Sequence, residues 1–136
     1  MKPTLILTFV LALAVSAHAD FKKIQGTWKA SSGQIGANPL PKSLLEKMVL
    51  IIKGSTYDYD EGHGHDVGDL KETKGQPTFM DIVGTSGPNK GKTYLTIYKM
   101  EGKALVIYYG LDGKRPKSFD EAGKTVMVMK YERAKG

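Results

Sequence analysis

Between Ile24 and Arg133 the chain alternates apolar and polar residues in short runs. Glycine-rich turns break the runs about every eight to twelve residues, a rhythm that predicts an all-β sandwich or barrel. The first predicted strand is Ile24 to Ser32. Lys23, Gln25, Thr27 and Lys29 share one face, and Ile24, Gly26, Trp28 and Ala30 share the other. A period of two therefore sends the sole tryptophan inward and the lysines to water. In "ANPLPKSLLEK", Pro41 suits the first turn of a helix. Ser43 to Lys47 complete one or two turns, too few for a helix stable on its own.

Seven further strands follow by the same reasoning. "MVLIIK" aligns Met48, Leu50 and Ile52, and Gly54-Ser55 is a two-residue reversal. The returning strand sets Tyr57 and Tyr59 against Thr56, Asp58 and Asp60. A weak strand is predicted from His65 to Lys71, and "TFMDIVG" places Met80 and Ile82 together. "TSGPNKG" is a turn, rich in residues that accept unusual backbone angles. "KTYLTIYKM" and "KALVIYYG" join through Glu101-Gly102, and "TVMVMKYER" aligns Met127, Met129 and Tyr131. Eight sequential antiparallel strands predict closure into an up-and-down barrel, which removes exposed sheet edges. By alternation Tyr57, Tyr59, Tyr98, Tyr109 and Tyr131 point inward and Tyr108 outward, with Tyr94 open to either.

Composition adds a compartment. Lys2 precedes an uncharged apolar run, Leu5 to Val15, and Ala17-His18-Ala19 fits a secretory cleavage site. The run is shorter than the roughly 20 residues of a membrane-spanning helix, which argues against a retained anchor. Residues 1–19 are thus read as a signal peptide and 20–136 as one barrel domain, exported to the periplasm or the extracellular space. The chain has no cysteine, which excludes disulfides and a lipoprotein anchor. The formal charge is +6, but the lysines are scattered singly. Nucleic-acid binders cluster basic groups along a phosphate track, so the excess reads as solubility and no nucleic-acid partner is expected.

Gly26-x-Trp28 on the first strand of an exported barrel resembles the lipocalin signature. The segments "IQGTWKASSGQIGANPLP", "VLIIKGSTY", "GPNKGKT", "IYKMEGKAL" and "GKRPKSF" occur in the order found in a family of uncharacterised, lipocalin-like bacterial domains of planctomycete type. The resemblance covers Phe21 to about Glu132. It implies a calycin-type barrel in which Trp28 plugs one end, and it implies no activity. A basic residue of the last strand packs over the Trp in such barrels. The family's usual place for it holds Tyr131 here, and Arg133, on the same face, is the substitute.

Chemically reactive residues gather in "DYDEGHGHDVGD". His63 and His65 are two apart, which on a strand puts both on one face, with Asp66 nearby. Imidazole and carboxylate suit zinc, copper or nickel when three or four donors converge; a solubilising polar turn is the alternative. A calcium loop fails, because its sixth place, which requires Gly, is His63. No Gly-x-Ser-x-Gly elbow is present, and "GPNKGK" lacks the helix that would hold an anion. Arg115 and Phe119 in "GKRPKSFD" either fix a loop to the barrel or contact an anionic ligand.

The resulting expectation is a non-enzymatic exported domain with no cofactor. It binds a small, largely apolar ligand in the barrel through Tyr57, Tyr59, Tyr98, Tyr109 and Arg115. The alternative is a cell-envelope interaction or inhibitor module whose barrel is filled by side chains. Interior volume separates them, since ligand pockets reach about 300 Å³ or more.

Overall fold

The computed structural model describes residues 21–120 and 123–135; the leader and its cleavage site lie outside these. A 3-10 turn, Phe21–Ile24, leads into β1 (Gly26–Ile35), a two-residue β2 (Asn38–Pro39) and a one-turn helix α1 (Lys42–Leu45). Then come β3 (Val49–Lys53), β4 (Thr56–Asp60), β5 (His65–Thr73) and β6 (Gln76–Ser86). The chain ends with β7 (Thr93–Glu101), β8 (Ala104–Gly110) and β9 (Val126–Arg133).

Pairing is antiparallel throughout and runs in sequence from β3 to β9, and β1 bonds to both β3 and β9. β1 and β3 to β9 therefore form a closed eight-stranded up-and-down barrel of lipocalin-like, calycin type, with β2 as a short extra strand on β1. Closure pairs every strand of the wall on both sides, which is how a barrel disposes of its edges. No helix among the described residues is long and apolar enough to cross a membrane.

Two features of β1 depart from strict alternation. Ile24 belongs to the 3-10 turn rather than to the strand, and the strand runs on to Ile35. A bulge between Ala30 and Ser32 shifts the β1–β9 register. One extra residue inverts which positions face in: Trp28 faces in before the bulge, and Gly33 sits against Met129 after it. The bulge lets one long strand pair with β3 below and β9 along its length.

The floor of the barrel is built around Trp28, which is 0% exposed. Its indole Nε1 donates to Ile24 O at 2.9 Å, tying the plug to the 3-10 turn beneath it. The Arg133 guanidinium lies 4.3 Å from the indole ring and donates to Gln25 O and Lys23 O. Arg133 reaches the indole because Trp28 and Arg133 are directly opposed on β1 and β9. Gly26 makes room for it. Its φ of +118° disfavours side chains, and a Cβ there would sit 3.0 Å from Arg133 Nη1.

Candidate functional site

At the opposite end the strands splay around a pocket that enters the barrel. Leu50, Ile52, Leu70, Met80, Ile82 and Ile107 form its apolar wall, and Leu111 and Met127 stand at its mouth. The cavity is about 100 Å³. That is small against the roughly 300–1,000 Å³ of most ligand pockets. Side chains occupy most of the interior.

The five residues expected to bind a ligand divide three ways. Tyr57, Tyr59 and Tyr109 line the pocket. Tyr98 is buried lower down, against Phe21 with ring centroids 6.1 Å apart, and is not on the pocket wall. Arg115 is on the outer wall. Its guanidinium covers the Phe79 ring at 4.3 Å, donates to Thr96 O at 2.8 Å and pairs with Asp81. Asp81 and Phe79 alternate with the inward Met80 and Ile82, which places the whole cluster outside. Phe119 packs edge-on against Tyr108 at 5.3 Å, beneath Lys99. The segment after β8 is thereby strapped to the barrel's exterior.

Buried tyrosine hydroxyls need partners, and here they serve one another. The hydroxyls of Tyr109 and Tyr131 are 2.8 Å apart, and Tyr131 donates to Tyr59 at 3.3 Å. Burial pushes the Tyr59 phenol up to about 12, partly offset by the Tyr131 bond. Burial also raises Tyr109 and Tyr131 well above an ordinary phenol. All three stay neutral at physiological pH.

The polar side of the pocket centres on Asp66, a residue the sequence pattern proposed for metal binding. Asp66 is 6% exposed. Its Oδ2 accepts from Asn89 Nδ2 at 2.8 Å and, weakly, from the Tyr57 hydroxyl at 3.5 Å. Asn89 is held in turn by the Tyr94 hydroxyl, which donates to its Oδ1 at 3.0 Å. Asp66 Oδ1 is buried and has no hydrogen-bond partner among the described residues. Glu61 completes the acidic side, its carboxyl raised first by burial and then by the negative charge of Asp66.

His65 points away from this group. It follows the polar face of β5 and pairs with Asp58 at 2.6 Å in the open. That hydrogen bond and the Asp58 charge raise its pKa. His63 lies in the turn before β5 rather than on the strand, so the two histidines do not share a strand face. His65 and Asp66, as strand neighbours, face opposite sides. Among the described residues no three His, Cys, Asp or Glu side chains converge as metal ligands would.

Sequence reasoning missed Asp66, Asn89 and Tyr94 as pocket residues. For Asp66 the signal was parity: Asp66, Gly68 and Leu70 alternate on one face, and Leu70 marks that face as interior. Tyr94 shares its parity with Thr96 and Tyr98, both buried. Asn89 sits in the turn between β6 and β7, where periodicity has no purchase. Gly84 delivers it: a Cβ there would lie 2.0 Å from Asn89 O, so only glycine lets the turn fold back over β6.

No protein-family profile and no curated protein matches this sequence. Among solved structures, the chain is similar to a point mutant of the fluorescent protein UnaG, at 18% identity and a TM-score of 0.42. That match covers 85% of this chain and 99% of the other. The likeness is remote, and the architecture of this chain rests on its own strand order.

Proposed function

We propose that this protein is an exported, non-enzymatic binding protein of the planctomycete-type lipocalin-like kind, released after cleavage near Ala19. Its barrel mouth takes a small, largely apolar ligand. One observation carries the reading: an apolar cavity enters the barrel beside a buried carboxylate oxygen that has no partner among the described residues. Native folds rarely leave such an atom orphaned, and a functional role is a standard reason when they do. The volume of about 100 Å³ sets the scale of the ligand, a compact body rather than a long chain.

The test is a methyl-resolved NMR screen of compact apolar compounds. Saturable shifts are expected at Ile52, Ile82 and Ile107, with none at Ile97, whose side chain lies outside the main core cluster. Native mass spectrometry of protein purified from its host is expected to show a co-extracted small molecule. Without saturable shifts and without a co-extracted molecule, the binding role fails. The small cavity also favours a second reading, an envelope interaction module with a filled barrel. On that reading interior methyls ignore every compound, and substitutions in the exposed loops abolish function.

A further inference from the structure

The polar side of the pocket has a sign. Of the ionisable groups on its wall other than tyrosines, both are acidic, Glu61 and Asp66. Among the described residues no lysine, arginine or histidine lines it, in a chain whose formal charge is +6. A buried carboxylate ordinarily pairs with a cation or fills its lone pairs with donors. Asp66 does so on one side only. Asn89 and Tyr57 both address Oδ2, and Tyr94 holds the Asn89 amide in place. Oδ1 is buried without a partner among the described residues, on a side chain that lines the pocket.

What satisfies that oxygen must bring a donor, and a positive charge answers the two acids better than a neutral donor does. We propose that the mouth pocket recognises a small apolar amine, its ammonium group donating to Asp66 Oδ1 and its hydrocarbon body lying against Ile52, Met80 and Ile107. This rests on the binding role proposed above and adds the chemical class. The Asn89–Tyr94 pair acts as a positioning device, fixing the carboxylate so that Oδ1, not Oδ2, meets the ligand. Pre-ordering of this kind lowers the entropic cost of binding. Glu61 contributes negative potential at the mouth. Its pKa is raised first by burial and then by the Asp66 charge, and an arriving cation relieves the second of these.

The experiment titrates the whole barrel with benzylamine, benzyl alcohol and toluene, three bodies of similar size that present an ammonium, a neutral donor or nothing. Charge-assisted hydrogen bonds exceed neutral ones by an amount worth about tenfold in affinity. Benzylamine is therefore expected to bind about tenfold tighter than benzyl alcohol, with toluene weakest. Asp66→Asn is expected to remove the preference for the amine while still binding toluene, which also shows that the variant folds. On the unaltered protein, the Asp66 carboxyl ¹³C resonance is expected to move with benzylamine and stay still with toluene. This keeps the test available if the variant does not fold. Toluene binding with no preference for the amine overturns the amine assignment and leaves the binding role standing. A preference that survives Asp66→Asn, with the carboxyl resonance unmoved, overturns the place of Asp66. No binding by any of the three overturns the amine assignment, and the wider screen and the native mass spectrum then decide the binding role.

Discussion

Arg133→Ala removes the clamp beneath the Trp plug, and the structure allows the loss to be sized. The guanidinium contributes a cation–π contact at 4.3 Å and hydrogen bonds to Lys23 O and Gln25 O. Arg133 is exposed, so each term takes the lower end of its range. The cation–π contact is worth about 0.5–1 kcal/mol, and each hydrogen bond adds about 0.5–1.5 kcal/mol. The expected loss is about 1.5–2 kcal/mol, read from the urea midpoint at constant m. In a domain of this size it is also a fall in Tm of roughly 5–10 °C. Arg133→Lys keeps the charge and loses the planar stack and the forked donors, so it is expected to fall about midway. The sole tryptophan reports directly on the site: acrylamide quenching of Trp28 is expected to rise in Arg133→Ala. A loss below about 0.5 kcal/mol, or a lysine variant equal to the native protein, would refute the clamp, because only charge or nothing would then matter.

Three further outcomes follow from the same contacts. The buried phenols predict steep alkaline unfolding. A phenol with its pKa raised by folding holds its proton longer when folded, so the stability it carries is complete below pH 10. That stability is lost as pH climbs through the folded value, about 12 for Tyr59, with about 3 kcal/mol gone from this residue alone at the end of the climb. Tyr59→Phe should soften the transition, and an unfolding free energy flat from pH 9 to 12 would contradict it. Arg115→Ala unpairs half-buried Asp81 and releases the outer strap, which is expected to cost about 2 kcal/mol and to speed amide exchange at 116–120. Unchanged exchange there would count against the strap. Gly84→Ala drives a Cβ into the Asn89 carbonyl and is expected to weaken benzylamine more than toluene; equal effects on both would argue against Asn89 as a positioning residue.

Alternation made the barrel wall legible because one face of every strand is buried, so a period of two carries direct information. It resolved Trp28, Leu50, Ile52, Tyr57, Tyr59 and Met80 onto the interior, where they lie. At β1 its face assignments ended at Ala30 and its strand at Ser32, short of Ile35, and the bulge that follows Ala30 is a single inserted residue with no apolar mark in Ser31-Ser32. Asp66 was hidden by its chemistry: a carboxylate beside His65 reads as a ligand at the surface, although its parity with Leu70 sends it inside. Arg115 and Asn89 lie in segments between strands, where the path of the chain depends on contacts across the fold. The Phe79 ring that receives Arg115 is 36 residues upstream by number, and no local pattern announces such a partner.

The most direct test is whether the void beneath the mouth exists. Apolar cavities of this order bind xenon, so a crystal held under xenon pressure should show one bound atom between Ile52, Met80 and Ile107. An interior without xenon, with those side chains closed against one another, would contradict the account.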